Sequence, residues 1–178
     1  VCADTPDSDP LVIGGIAYGR LFGILESRYA LTFADPGAAA VASVLSAADQ
    51  LVLVAPASPD AARAVGMTLE WLGANGFDTL RARAVMVLNG VSQRSQPHAQ
   101  QAEAVVSGRC RAIVRVPWDD HLAEPATEQG IRESLEAASG TLARLAQLRP
   151  AVQQAYTALA GVVVTAMADS ARRQRVAR

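Results

Sequence analysis

Two hydrophobic rhythms alternate along this chain of 178 residues. The runs Ala30 to Ala34, Leu51 to Ala55, Ala84 to Leu88 and Ala112 to Val116 are short, aliphatic and bounded by turn formers, so each predicts a strand. Between and beyond them the apolar positions fall at helical spacing. Tyr18 to Ser27 predicts a helix, and an alanine-rich helical segment follows Gly37. Ser58 to Gly76 predicts another, with Ser58 as N-cap, Pro59 at the first helical position, an apolar face of Ala61, Val65, Leu69 and Leu72, and Gly76 as its stop. Pro97 to Ser107 is a more polar helix with proline near its start. From Glu124 onward the pattern is wholly helical, with one helix from Glu128 to Leu148 and a second from Pro150 to Arg172. Strands alternating with helices predict an α/β fold, a mainly parallel sheet flanked by helices, with a C-terminal helical extension.

The predicted βαβ unit spanning Arg28 to Ser58 puts an acid and a glycine, Asp35 and Gly37, just past the end of a strand. In an open parallel sheet the carboxyl ends of the strands face the ligand crevice. Four such ends carry distinctive residues: Asp4, Asp35-Pro36-Gly37, Asn89, and Pro117-Trp118-Asp119. A carboxylate such as Asp35 suits a magnesium ion that bridges phosphate oxygens. A glycine such as Gly37 lets a backbone N–H approach a terminal phosphate, and the Asn89 amide can donate to and accept from a purine edge. The same residues are also common turn and strand-stop chemistry. His98 and His121 stand outside any metal-ligand spacing and read as ordinary loop or surface residues.

Charge and cysteine usage narrow the classes. With 16 basic and 17 acidic residues, net charge −1, there is no electrostatic footprint for a nucleic-acid surface. Cys2 and Cys110 lie far apart with no CxxC pattern, which argues against a disulfide scaffold or zinc site and for a reducing cytoplasm. Every basic side chain apart from the histidines is arginine, so chemistry that needs a lysine must come from outside these residues. The opening Val1-Cys2-Ala3 reads as the last residues of a strand, which suggests that an earlier strand and loop belong to a longer parent. The apolar run Ala158 to Ala168 is about half of what crosses a bilayer. The last helix carries an apolar stripe from Val152 to Met167 and arginines at 172, 173, 175 and 178. That stripe, rich in alanine and lacking Trp or Phe, predicts packing on the sheet or a partner subunit over contact with lipid.

The succession YALTFADPG, AADQLVLVAPAS, AVMVLNGV and IVRVPWDDHLAEPA over residues 1 to 125 resembles the ParA/MinD-like ATPases, in particular the actinobacterial group near type VII secretion systems. The resemblance implies a P-loop NTPase or Rossmann-like three-layer fold, with residues 1–125 a partial nucleotide-binding domain and 126–178 helices packed on it. It also implies ATP and Mg2+ as cofactors, a homodimer through bound nucleotide, and a nucleotide switch that regulates protein positioning, partitioning or secretion through a protein partner. By the same resemblance Asp35 reaches magnesium through water, Gly37 sits near the γ-phosphate, Asn89 contacts adenine, Pro117 and Asp119 close over base and ribose, and Asp4 or Asp7 positions the attacking water. The family's glycine-rich, lysine-bearing phosphate loop has no counterpart here. The chain alone is therefore expected not to hydrolyse ATP. The competing expectation is a non-catalytic interaction module that keeps the fold without the phosphate loop.

Overall fold

A computed structural model of the protein describes residues 15–36, 40–123 and 147–176. The chain divides into two compact units between Ala48 and Asp49. The boundary expected near residue 125, and the helix expected from Glu128 as far as residue 146, lie outside the described residues.

In the first unit, α1 (Gly15–Arg28) and α2 (Val41–Ala47) pack against each other. Arg28 complements the dipole at the end of α1, and Tyr29 N–H closes the last turn on Leu25 O at 2.8 Å. The strand expected over Ala30 to Ala34 does not form: these residues have no ladder, and Leu31 and Phe33 are 45% and 80% exposed. An apolar run becomes a strand only where a neighbour accepts its main-chain hydrogen bonds. Of the βαβ unit expected over Arg28 to Ser58, only α2 and the final strand are made.

The second unit holds the sheet. Strands β1 (Val52–Pro56), β2 (Val85–Val91) and β3 (Ala112–Pro117) are all parallel, in the order β1-β2-β3. The register sets Val54 beside Val87 and Val87 beside Val114. Central β2 is buried from Val85 to Leu88, the continuous apolar run demanded of a parallel strand covered on both faces.

One face is covered by α3 (Ala61–Ala74) and α5 (Gln96–Val106), with the short α4 (Asp78–Arg83) between them in sequence. The α3 stripe Ala61, Val65, Leu69 and Leu72 is buried as its spacing predicts. Its start differs from expectation. Ser58 N–H bonds Pro56 O at 2.9 Å and Ala61 N–H bonds Ser58 O at 3.1 Å, so Ser58 and Pro59 form a turn and the helix begins after Asp60. Its end matches the Gly76 stop. With φ at +80°, Gly76 lets Phe77 N–H reach Leu72 O and its own N–H reach Gly73 O, while Phe77 stacks on Trp71 at 6.0 Å. That pair of bonds with its apolar contact is a Schellman stop.

The other face is covered by α7 (Pro150–Val176), which follows the four-residue α6 (Asp120–Ala123) among the described helices. Val152 joins Val87, Val116 and Leu148 in one buried cluster, and Val163 joins Val85 and Val114 in the next. Each such valine, fully removed from water, contributes about 1.5–3 kcal/mol. Pro150–Asp169 is long and apolar enough to cross a membrane by length and composition. Here Val152, Val163 and Ala166 are buried against the sheet, while most of the stretch is not buried. The result is three layers, α3 and α5 over the sheet over α7.

Candidate functional site

The carboxyl edge of the sheet in the second unit is where the distinctive residues of β2 and β3 meet. Pro117 has no N–H to give the ladder, and β2 answers with an irregularity: Asn89 pairs with Val116, Val91 with Pro117, and Gly90 is the extra residue. Trp118 N–H then resumes the pairing on Val91 O at 2.9 Å. Gly90 takes φ +72°, and a Cβ on it would sit 3.3 Å from Cε3 of Trp118. Only glycine satisfies both the turn and the approach of the indole.

Around this rim the Asn89 side chain is exposed, while the residue's main-chain carbonyl accepts Ala57 N–H at 2.9 Å after β1. Trp118 is 48% exposed, and its Nε1 donates to Asp120 Oδ1 at 2.9 Å. The Ser92 and Ser95 hydroxyls hold the β2–α5 loop closed, with Ser92 N–H on Ser95 Oγ at 2.9 Å and the Ser95 hydroxyl reaching Gly90 O at 3.4 Å. Among the described residues the rim thus presents an amide, an indole face and hydroxyls.

Asp119 faces inward. It is 3% exposed, and its Oδ2 accepts Arg149 N–H at 3.0 Å with Arg149 Nε at 3.5 Å. That carboxylate satisfies an N–H at the head of α7 and complements the positive end of the helix dipole. Sequence reasoning missed this role because the partner lies 30 residues away. Of the other expected site residues, Pro117 lies half-buried at the end of β3, and Asp35 is exposed within the first unit. Asp4 and Gly37 lie outside the described residues, as does Asp7.

Electrostatic shifts point to structure. Hydrogen bonding to the Arg115 guanidinium holds the Glu103 carboxyl below its ordinary value, against a smaller opposing effect of burial. The same pair raises Arg115. Burial pushes the Cys110 thiol up, and its Sγ donates at 3.6 Å to Val106 O. A thiol kept protonated is a poor nucleophile. Among the described residues no group of three or more His, Cys, Asp or Glu is placed to hold a metal ion.

No family model matches the chain. No solved structure matches it either. It is 33% identical over 105 residues to the ESX-1 secretion-associated protein EspI of Mycobacterium tuberculosis, in strains CDC 1551 / Oshkosh and ATCC 25618 / H37Rv. That match takes in 53% of this chain and 15% of the relatives, so the chain spans a small part of their length. These findings overturn the assignment to the ParA/MinD-like P-loop ATPases. The segments that suggested it are strand ends and turns, which parallel α/β sheets of many kinds share for backbone reasons, and one of them, the strand over Ala30 to Ala34, is not a strand. What stands is an α/β unit with three parallel strands among the described residues, in a chain similar to part of a secretion-associated protein.

Proposed function

We propose that this chain is part of a protein that serves a type VII secretion system of the ESX kind, and that its α/β unit acts there by binding another protein. The similarity to EspI over 105 residues carries the first half. The rim of the sheet supports the second: Asn89 and Trp118 are presented to solvent, while Asp119, the buried carboxylate beside them, holds α7. A half-exposed indole beside an amide is the sort of anchor that protein surfaces use.

The test is genetic and quantitative. In the host, deleting the gene lowers export of ESX substrates into the medium, complementation restores it, and a Trp118→Ser, Asn89→Ser allele restores it poorly while the protein accumulates normally. Unchanged ESX export on deletion refutes the secretion role; full rescue by the double variant refutes the part given to the rim.

A further inference from the structure

A charged contact ties α7 to β3 at each end of the strand, and the two contacts differ in depth. At the head of the helix the buried Asp119 carboxylate, just past β3, accepts Arg149 N–H at 3.0 Å, and Leu148 and Val152 are buried with it. Removing a partner from such a buried hydrogen bond is costly. Toward the tail, Arg111, just before β3, bonds Asp169 at 2.5 Å, and those side chains are 28% and 35% exposed. An ion pair so open to water holds weakly. The tail half buries Val163 and Ala166, while Val162 and Met167 beside them are partly buried. Between the two halves stands Gly161, inside the helix. A Cβ there would meet nothing within 4 Å beyond the helix's own turn, so no close approach calls for glycine. Gly66 of α3 differs, since its Cβ would lie 3.5 Å from Val105 of α5. Within a helix, glycine is roughly three- to fivefold less favourable than alanine, so Gly161 marks the turn at which α7 breaks most readily.

We infer that α7 is a hinged strap: its second half, from Val162 to Val176, leaves the sheet about Gly161 when Arg111 and Asp169 part, while its first half and the sheet stay in place. Three observations converge on that division. The deep contact is at the head, the exposed ion pair is toward the tail, and the glycine that packing does not require lies between them. The sheet divides at the same place. Opening uncovers Val85 and Val114 at the amino end of their strands, whereas Val87 and Val116 at the other end stay under Leu148 and Val152. Once off the sheet, so short a helical segment is marginal in water, and the opened half melts. No such division exists in α3, whose buried residues run from Ala61 to Leu72.

Native-state hydrogen exchange of the full chain, followed amide by amide at low urea, reads the opening. The amides from Val164 to Ala168 are expected to share one protection factor, on the order of tenfold or more below those of β2 and of the first half of α7. Asp169→Asn should speed their exchange roughly two- to fivefold, and Gly161→Ala should slow it roughly three- to fivefold. Val152→Ala separates this opening from release of the whole helix. It should speed exchange in β2 roughly tenfold or more, because β2 exchanges by global unfolding, and leave Val164 to Ala168 unchanged. Equal acceleration of those amides by Val152→Ala overturns the inference, since α7 then leaves as one piece. So does a protection factor equal to that of β2, or one that climbs steadily inward from the helix end, as fraying gives. Exchange that ignores Asp169→Asn or Gly161→Ala overturns it as well, and neither variant touches the core, so these two decide the matter where Val152→Ala does not fold.

Discussion

Among the described residues β1 and β3 are the two outer strands of the sheet, and they are finished in opposite ways. At β3, Arg115 forks onto Glu103 of α5, and Arg111 bonds Asp169 of α7 at 2.5 Å, so charge guards the strand on both faces. Charged side chains on an edge discourage pairing with another chain. At β1 Pro56 is such a device, while Val54, Met67 and Trp71 are exposed and apolar. The described sheet therefore carries one margin flanked by paired charge and one flanked by exposed apolar side chains. Total hydrophobicity does not separate them; the placement of arginines does.

The comparison can be broken or sharpened by substitution. The largest effect is expected on the covered side of α3. Leu69 is 0% exposed, and Leu69→Ala should lower stability by about 2–5 kcal/mol in urea unfolding, since the side chain's contacts vanish and the cavity collapses only partly. Next comes Asp119→Ala, which leaves Arg149 N–H without its acceptor at the head of α7. A loss of about 1–3 kcal/mol is expected, with hydrogen exchange speeding up first in the initial turns of that helix. A loss confined to β3 would show that the carboxylate does not hold α7.

The guard at β3 should contribute less. Glu103 and Arg115 have side chains 26% and 39% exposed, so Glu103→Gln should lose about 0.2–1 kcal/mol after solvent screening. Its pH dependence has a definite sign. The folded-state value of Glu103 lies below the ordinary 4.5, so the advantage of the parent over the variant is fully present above that ordinary value and disappears as pH falls through the depressed one. Thermal unfolding at pH 7 and pH 3 checks it, and an equal gap at both would show that the pair is not responsible. The smallest effect belongs to the β1 margin. Val54→Thr keeps the β-branched shape at an exposed position and should change the stability of the chain by less than about 0.5 kcal/mol.

Much of the second unit was legible in the residues. The α3 stripe, the Gly76 stop, the apolar run of β2 and the proline at the start of α7 all act through neighbours close in sequence. Ser58 misled because its main chain was wanted by a turn after β1. Ala30 to Ala34 misled because strand composition without a strand partner makes no strand. The site was less legible still. Asn89 and Pro117 are placed at the carboxyl edge by local rules, but the burial of Asp119 depends on Arg149, far along the chain.

What the amino-acid order determined by itself is the alternation of strand and helix, the parallel α/β class, and where most elements start and stop, because hydrophobic period, capping and proline act within a few residues. Only the tertiary structure decided which apolar runs became strands, which carboxylate was taken inward, and which sheet margin is flanked by paired charge. Those outcomes depend on what lies alongside each segment in space, and a main-chain hydrogen bond or a buried charge is satisfied by a neighbour in three dimensions or not at all.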